Sequence, residues 1–511
     1  MDLSPPGSVG IMLKKKRRIF YPFLIGIYAA VELVNVNISQ MELSAGFRSV
    51  AVTVVFSLAS YALFYWQIKS EHKAALMSAW FMLFFFAYGH LYGALEGKSV
   101  LGVVLGRHRF FFPFWLVVFA VGGWWIYKNA HRLEGLSKIL NVVSILLLVI
   151  PLVQIGVFEW QRHAHDLTEH PSSPVQEGLT PATSQLPDIY YIILDGYPRQ
   201  DVLLKYHHFD NSQFIQEMET IGFFIPHCSQ SNYAATDLSL ASSLNMTYLE
   251  GINPNVQQIN YPDSIIHSRT RQILEGFGYK IVSIDSGIWF TVFNDADYNI
   301  NQNRSVLGSF LDIKRLSEFE VVFLRTTLLR LVDESKAAWL GSILQNPRME
   351  AYERILFEFD QIESVPSLPG PKFVFVHIVA PHSFPFIFNA EGEFEVSSSI
   401  DPALGNVLRY LNWRTLEAVR AIIAKSGNPP VIIIQGDHGI DTEARLAIFN
   451  AIYFPNGGNE VLYPTLSPVN TFRLVFNTYF GRDFPLLPDI SYFSAYEDYY
   501  NFSEVTYPCT H

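Results

Sequence analysis

Residues suited to metal chemistry follow a short aliphatic run late in the chain. The run VIII (431–434) leads through Gln-Gly into Asp437 and His438, which stand side by side before a further glycine. Four aliphatic residues in succession predict a buried strand, and a carboxylate beside an imidazole is a ligand pair that zinc or manganese accepts. The pair therefore indicates a candidate metal site at the end of a strand.

Two other aliphatic runs carry potential ligands at or near their ends. IYYIIL (189–194) is followed by Asp195, while FVFVHI (373–378) contains His377 and is followed by His382. Taken alone, Asp195 is more typical of a turn residue or helix cap, and His377 is as typical of a core histidine. Together with the Asp-His pair, the three runs supply two carboxylates and up to three imidazoles, which favours a shared metal site.

A candidate nucleophile lies in SNYAATDLSLASSLNM (231–246). The leucine spacing predicts a helix with one packed face, and Thr236 lies where that helix should begin. A hydroxyl at a helix amino terminus lies near backbone N–H groups, which favour an alkoxide and a bound phosphate oxygen. The alternative is that Thr236 is only an N-cap. Asn232 and Tyr233 either contact substrate or shape the turn.

The elements that would position these residues alternate between short strands and helices. Strands are predicted at 189–194, 280–284, 373–378, 431–434 and 450–454, and helices at 264–277, 348–362, 405–425 and 469–479. Such alternation predicts a mainly parallel sheet between helix layers. An open α/β sheet binds ligands at the carboxyl ends of its strands, where the candidate residues stand.

The first third of the chain has the composition of a membrane domain. The 511 residues are 50% hydrophobic with a mean hydropathy of +0.18, which is high for a soluble protein. Apolar runs that approach the about 20 residues needed to cross a bilayer occur at 19–36, 48–67, 74–95, 110–127 and 138–158. We therefore predict an α-helical membrane domain of about five transmembrane helices over 1–160.

The remaining chain divides into a linker and a second domain. Residues 161–187 are polar and rich in Pro, Ser and Thr, which predicts a linker, and 188–511 form the predicted α/β domain. The cluster KKKRR (14–18) precedes the first apolar run. This run is longer than the apolar region of a typical cleaved signal peptide, so we interpret it as a retained membrane anchor. The positive-inside rule then puts the amino terminus in the cytoplasm and, after five crossings, the second domain outside.

The ordered motifs resemble the alkaline phosphatase superfamily in its sulfatase-like membrane branch. The matching motifs are LDGY with Asp195, T-x-x-S-L with Thr236, H-x-x-x-x-H with His377 and His382, and GDHG with Asp437 and His438. That branch includes lipoteichoic acid synthases and lipid A phosphoethanolamine transferases. The resemblance implies an alkaline-phosphatase-like fold for the α/β domain and covers most of the chain.

The resemblance also implies roles for the candidate residues. One divalent metal, zinc or manganese, would be bound by Asp195, Thr236, Asp437 and His438. Thr236 would also be the nucleophile that becomes phosphorylated, while His377 and His382 would contact the transferred group or the leaving oxygen, or help to bind a second metal. The implied reaction moves a phospho-head group from a membrane phospholipid to a surface glycan or glycolipid. The implied location is a bacterial inner (cell) membrane, crossed several times, with the catalytic domain on the periplasmic or extracellular side.

The sequence departs from this family pattern at several points. The C/S-x-P-x-R context of true sulfatases does not occur at 231–246, which disfavours sulfate ester hydrolysis. No further histidine follows closely after GDHG, which favours one tightly held metal. Arg445 either clamps a phosphate or has a capping or surface role.

Three further functions stay compatible with the sequence. Water as acceptor would make the protein a phosphodiesterase. A non-catalytic glycan-binding module would keep the fold without the reaction. A transporter would use the membrane helices themselves, but the apolar runs contain few ionisable residues, chiefly Glu32 and His90, which disfavours this function.

The remaining signals are compositional. A formal net charge of −11 argues against a nucleic-acid partner. Cys228 and Cys509 are the only cysteines, and both lie in the predicted external domain. They form either a disulfide or two free thiols. The sequence gives no indication of an oligomeric state.

Overall fold

The computed structural model describes most of the chain in two compact units. The described residues are 19–38, 41, 43–96, 98–100, 103–104, 107–133, 135–168, 186–302, 316–333, 346–382, 387–395, 400–440, 444–495 and 498–509. The first unit is Met1–Glu159 with Leu316–Leu344, and the second is Trp160–Arg315 with Gln345–His511. Most of the predicted linker, residues 169–185, lies outside the described residues.

The first unit consists mainly of apolar helices. They are Tyr21–Asn37, Phe47–Ile68, Glu71–Leu95, His108–Asn129 and Leu136–Thr168, with 3₁₀ turns at Leu43–Gly46 and Ala130–Leu133 and a short antiparallel pair, β1 (Ser99–Val100) and β2 (Val103–Val104). Among the described residues, four segments are long and apolar enough to cross a membrane, Leu43–Ile68, Glu71–Leu95, His108–Leu133 and Leu136–Trp160. The helix Tyr21–Asn37 has 17 residues and is a shorter apolar helix, so the predicted count of five spans is not confirmed.

A segment from the second half of the chain belongs to this first unit. The helices Glu318–Thr326 and Arg330–Asp333 contact the helix Glu71–Leu95, where the Leu328 N–H donates to the Phe85 carbonyl at 2.8 Å. The predicted boundary at 188 assigned this segment to the α/β domain. The difference arises because the buried rings of Phe319 and Phe323 pack among residues of the apolar helices.

The second unit is built on a six-stranded sheet. Its strands are β3 (Ile189–Leu194), β4 (Lys280–Ile284), β5 (Tyr298–Ile300), β6 (Lys372–Ile378), β7 (Val431–Gln435) and β8 (Asn450–Tyr453). Their order is β5-β4-β6-β3-β7-β8, and all neighbours pair in parallel except β7 with β8. The predicted mainly parallel sheet is confirmed. A separate antiparallel pair, β9 (Tyr492–Phe493) and β10 (Ser503–Glu504), lies in the carboxyl-terminal tail.

Helices cover both faces of the sheet. Along β3, Tyr190, Ile192 and Leu194 pack into one core, and Ile189, Tyr191 and Ile193 into the other, as expected for side chains that alternate across a strand. The first core is covered by Gln200–His207, Ser212–Ile221, Asn346–Ile362 and Ile400–Lys425, and the second by Thr236–Asn245, Leu249–Ile252, Tyr261–Ile266, Arg269–Gly276 and Pro468–Tyr479. Short 3₁₀ turns occur at Val256–Gln258, Trp289–Thr291, Val365–Ser367 and Gly458–Val461.

The predicted elements match the observed ones closely, with one clear difference. The predicted helix 264–277 is two helices, Tyr261–Ile266 and Arg269–Gly276. The break occurs because Ser268 has extended backbone and its side chain accepts from the Arg271 N–H, which starts a second helix.

Candidate active site

The three strands that carry the candidate ligands are neighbours in the sheet. β3 lies between β6 and β7, and Ile193 is opposite His377 on one side and Gln435 on the other. Because all three strands are parallel, their carboxyl ends meet at one edge. Asp195 and Asp437, each two residues beyond this level, are therefore brought together.

A tight turn after β3 makes this approach possible. Gly196 has a φ of +73°, and a Cβ added to it would lie 2.4 Å from the Cβ of His382. The Gly196 N–H donates to Asp437 Oδ1 at 3.0 Å, and the His382 N–H donates to the Asp195 carbonyl at 3.1 Å. Only glycine combines this left-handed backbone with so close a neighbour.

Buried polar atoms without hydrogen bonds converge at this edge. Within the described part of the chain, Asp195 Oδ1, Asp437 Oδ2 and His377 Nε2 are buried and have no hydrogen-bond partner. Two groups of side chains have ligand atoms within 4.8 Å of one another, Asp195 with His382 and His438, and Asp195 with His377 and Asp437. Unsatisfied buried carboxylate oxygens are costly unless a cation or donor meets them, so the residues present fit a divalent metal.

The histidines differ in exposure and in their distance from Asp195. His438 Nε2 is 3.7 Å and His382 Nδ1 is 3.4 Å from Asp195 Oδ1, whereas His377 Nε2 is 3.8 Å from Asp195 Oδ2. His377 and His438 are buried, while the His382 side chain is 37% exposed. His382 is therefore the imidazole best placed to exchange protons with substrate or solvent.

Electrostatics keep the ligand set in the forms that bind a metal. Burial alone would raise the pKa of Asp195, but the contact with His382 and the charges of His438 and His377 hold it below its usual value. Burial lowers the pKa of His438, and the charges of Arg445 and His382 lower it further. The carboxylates of Asp437 and Asp195 oppose this effect without reversing it. Since His438 Nδ1 lies 3.0 Å from the Gly439 carbonyl, an N–H at Nδ1 leaves a lone pair on Nε2, which faces Thr236 Oγ1 and Arg445 Nη2, each at 3.2 Å.

The predicted nucleophile lies beside this set. Thr236 is the first residue of the helix Thr236–Asn245, and Ala235, with extended backbone, is the N-cap. Thr236 Oγ1 is 3.2 Å from His438 Nε2. The threonine hydroxyl is therefore within reach of the metal set and at the positive end of a helix dipole, rather than acting as an N-cap.

Solved structures similar to this chain were found at low sequence identity. The C-terminal periplasmic domain of EcEptC from Escherichia coli, in complex with Zn, has a TM-score of 0.41 and 12% identity, over 63% of this chain and 93% of that chain. The lipooligosaccharide phosphoethanolamine transferase A (EptA) from Neisseria meningitidis, an integral membrane protein, has a TM-score of 0.37 and 13% identity, over 89% and 92%. A protein in the alkaline phosphatase superfamily from Vibrio parahaemolyticus has a TM-score of 0.34 and 10% identity, over 63% and 76%.

These solved structures include a phosphoethanolamine transferase and a member of the alkaline phosphatase superfamily, the groups that the motifs resemble. No protein-family model matches the sequence, and the search of curated proteins gave no significant match. Because the identities are so low and these TM-scores are below 0.5, the likeness does not assign an activity. The function has to be inferred from the site.

Arg445 lies at the site rather than capping a helix. Its Nε donates to the Ala234 carbonyl at 2.6 Å, just before the Thr236 helix, and its Nη2 is 3.2 Å from His438 Nε2. Burial lowers the pKa of this guanidinium, against the charges of Asp437 and Asp195. Of the two roles that the sequence left open, the position favours contact with an anion at Thr236.

Two residues near the candidate nucleophile Thr236, Asp237 and Tyr499, were not predicted from the sequence. The Tyr499 hydroxyl donates to Asp237 Oδ1, and burial raises the pKa of Asp237, an effect that this hydrogen bond opposes. Asp237 stands within the quoted motif, so its position next to Thr236 was a usable signal. Tyr499 is more than 260 residues away in sequence, and nothing in its local sequence indicates the contact.

Two residues just before Thr236 have structural roles. The Asn232 side chain accepts from the Val469 N–H at 2.8 Å and donates to the Ile490 carbonyl at 2.8 Å, and Tyr233 is fully buried. Both residues therefore shape the turn. Cys228, further upstream, is bonded to Cys509, so the two cysteines form a disulfide.

Proposed function

We propose that the protein is a membrane-anchored, metal-dependent phosphotransferase. It moves a phospho-head group from a membrane phospholipid to a surface glycan or glycolipid through a phospho-threonine at Thr236. The observation that carries the proposal is the distance of 3.2 Å between Thr236 Oγ1 and His438 Nε2, beside two buried carboxylates that each have one oxygen, Asp195 Oδ1 and Asp437 Oδ2, without a hydrogen-bond partner within the described residues. A hydroxyl next to a cation-binding set is the arrangement that phosphoryl transfer through a covalent intermediate requires.

The proposed metal set consists of side chains from two strand ends, those of β3 and β7, and from one helix. Asp195, Thr236, Asp437 and His438 are the ligands, and zinc or manganese is the metal. A bound divalent ion would lower the pKa of the threonine hydroxyl and neutralise negative charge on the phosphate. The formal net charge of −11 gives no help in attracting an anionic phospholipid, so recognition would come from the metal and from local groups.

The first step joins the head group to the protein. Thr236 Oγ1 attacks the phosphorus, its proton leaves to solvent, and the bond between phosphorus and the diacylglycerol oxygen breaks. The helix N–H groups and Arg445 stabilise the phosphoryl oxygens, where negative charge increases in the transition state. His382 gives its proton to the leaving oxygen, a role that suits the most exposed of the three imidazoles.

The second step releases the head group to the acceptor. An acceptor hydroxyl loses its proton to His382 and attacks phosphorus, the bond to Thr236 Oγ1 breaks, and the threonine oxygen takes back a proton from solvent. Water in place of the glycan hydroxyl would give a phosphodiesterase. Anchoring in a bacterial inner membrane with the α/β unit on the periplasmic or extracellular side would bring the lipid donor to the site. With the amino terminus in the cytoplasm, this placement requires the shorter apolar helix Tyr21–Asn37 to cross the membrane together with the four longer apolar segments.

The test is a covalent adduct on Thr236. The full-length protein in detergent is incubated with labelled bacterial phospholipids and a divalent metal, and its peptides are analysed by mass spectrometry. A head-group adduct is expected on Thr236, and its mass identifies the head group. Thr236→Ala should abolish the adduct and reduce turnover by roughly 10⁴–10⁶-fold, because the nucleophile is lost.

Thr220→Ala is a matched control. Thr220 is an exposed helical threonine whose hydroxyl donates to the Gln216 carbonyl, away from the site. This variant should retain the adduct and the wild-type turnover. An unmodified Thr236 under turnover conditions, with metal bound, would refute the covalent mechanism. Transfer to a glycolipid distinguishes the transferase from the phosphodiesterase, which would release the free phospho-head group.

A further inference from the structure

His377 is buried in a way that leaves one of its ring nitrogens facing the metal set. The residue lies in β6 and is 1% exposed. Its Nε2 is 3.8 Å from Asp195 Oδ2, which is too far for a hydrogen bond, and it has no hydrogen-bond partner among the described residues. A buried imidazole nitrogen directed at carboxylates needs either a proton or a cation between them.

The other ring nitrogen is held by a small network of hydroxyl groups. His377 Nδ1 is 3.0 Å from Thr291 Oγ1, which in turn is 2.8 Å from Ser286 Oγ and 3.0 Å from the Ile288 carbonyl. Thr291 ends the short 3₁₀ turn Trp289–Thr291 and is fully buried. Ser286, Ile288 and Thr291 follow β4, and His377 lies in its neighbour β6, so the network lies at the carboxyl ends of these two strands.

Counting protons in this network selects one tautomer of His377. In the first arrangement the Thr291 hydroxyl donates to the Ile288 carbonyl, which also accepts the Thr291 backbone N–H at 2.9 Å, and the Ser286 hydroxyl donates to Thr291 Oγ1. The remaining partner of Thr291 must then be a donor, which makes His377 Nδ1 an N–H. Its Nε2 consequently carries a bare lone pair towards Asp195.

The opposite assignment leaves a buried donor unsatisfied. If Thr291 donated to His377 Nδ1, the proton of the ring would be on Nε2, which lies 3.8 Å from Asp195 Oδ2. The Ile288 carbonyl would still accept the Thr291 backbone N–H at 2.9 Å, so the cost of this arrangement lies in the unpaired Nε2 proton. An unpaired buried N–H costs more than the first arrangement, in which every donor has an acceptor.

We propose that Thr291 is a positioning residue that holds His377 with its Nε2 lone pair towards Asp195 and Asp437, so that His377 joins these two members of the proposed ligand set in binding a divalent cation. The proposal deepens the proposed function, on which its catalytic meaning rests, but it concerns metal affinity and can be tested without turnover. The ligand atoms of the three residues lie within 4.8 Å of one another. Two carboxylates and a neutral imidazole suit zinc or manganese.

The experiment measures binding of Zn²⁺ alone, and separately of Mn²⁺ alone, to the metal-free full-length protein by calorimetry. Thr291→Val keeps the shape and removes the hydroxyl, and a decrease in affinity of roughly 10–100-fold is expected, as for other residues that orient a ligand. Thr291→Ser restores the hydroxyl and should bind within about threefold of wild type. Thr270→Val is the matched control, because Thr270 is fully buried and its hydroxyl has no partner within the described residues.

A double-mutant cycle with His377→Ala separates positioning from a general structural effect. If Thr291 acts through His377, Thr291→Val should lower metal affinity in the wild-type background and have little further effect once His377 is alanine. Wild-type affinity in Thr291→Val, or an equal loss in both backgrounds, would overturn the proposal. A protein that shows this coupling but no adduct on Thr236 would leave the positioning role intact and refute only the proposed reaction.

Discussion

At the scale of single residues, each of two buried carboxylates at the site has one oxygen without a hydrogen-bond donor among the described residues, Asp195 Oδ1 and Asp437 Oδ2. Asp437 uses Oδ1 to accept from the Gly196 and His438 N–H groups, and its Oδ2 has no partner within the described chain. One oxygen therefore fixes the turn, and the other is available to a cation. Replacing Asp437 by asparagine removes the charge but keeps the shape of the side chain. This substitution should separate the role of Oδ1 in the turn from the role of Oδ2 in binding a cation.

Asp437→Asn is expected to lose bound metal while remaining folded. The amide oxygen can still accept at the Oδ1 position, but the negative charge at Oδ2 is removed, so the loss of metal affinity should exceed the roughly 10–100-fold typical of residues outside the ligand shell. Metal content per chain after dialysis, measured by mass spectrometry, tests this. Asp285→Asn is the control, since Asp285 follows β4 at the same edge but belongs to neither ligand group; equal metal loss in both variants would contradict the assignment.

At the scale of elements, the second core depends on a polar junction between two helices. His267 separates Tyr261–Ile266 from Arg269–Gly276, with its Nδ1 2.5 Å from Asp263 and its Nε2 3.2 Å from Asp295. Arg271 pairs with the same Asp295 at 2.8 Å. These contacts, first with Asp263 and then with Asp295, raise the pKa of His267 to about 9.

This raised pKa predicts a loss of stability at high pH. The folded pKa lies above the ordinary value of 6.5, so the stabilising contribution is complete below about pH 6.5 and disappears as pH rises through about 9. The loss should be about 1 kcal/mol or less, because the pair is partly exposed to solvent. The measurement is thermal unfolding in detergent between pH 6 and 10, a range that includes both the ordinary pKa of 6.5 and the raised pKa of about 9.

The comparison is made with His267→Gln, which cannot take up the proton. Its melting temperature should change less between pH 6 and 10 than that of the wild type, and Asp263→Asn should move the wild-type decline to lower pH. Identical pH profiles for the wild type and His267→Gln would show that another group is responsible.

At the scale of the whole molecule, distant parts of the second unit are tied to the segment before the nucleophile. Cys228 is bonded to Cys509 across 281 residues of sequence. The Tyr507 N–H donates to Gln230 at 2.8 Å, and the Tyr492 N–H donates to the Asn232 carbonyl at 2.9 Å. The carboxyl-terminal tail therefore helps to fix the turn that leads into Thr236.

Removing the disulfide should destabilise the second unit. Cys228→Ser with Cys509→Ser removes a cross-link that closes a long loop, and the free energy of unfolding should fall by about 2–5 kcal/mol, as for native disulfides in general. Denaturant titration in detergent measures the change, and hydrogen exchange should be faster in residues 489–509. A reducing agent should produce the same changes in the wild type and none in the double variant.

Much of the second unit could be predicted from sequence because its signals are local. The aliphatic runs of β3, β4, β6 and β7 predicted strands within one residue of the observed bounds, since an unbroken buried strand requires a run of apolar residues. The candidate ligands Asp195, Asp437 and His438 followed from the rule that parallel strands end at one edge. The segment 316–333 was expected in the α/β domain but groups with the first unit. Its apolar residues indicate that it is buried, but they do not indicate which helices or strands it packs against.

The sequence by itself determined which residue types stand at the strand ends, since a carboxylate, an imidazole and a hydroxyl each have their own chemistry wherever the chain places them. Only the tertiary structure decided their pairing: that His377 is held by Thr291, that Arg445 reaches His438, and that Tyr499 meets Asp237. These contacts join residues with no common periodicity or motif. They depend on strand order and on the path of the tail, which are fixed by packing of the whole unit and not by any local stretch of sequence.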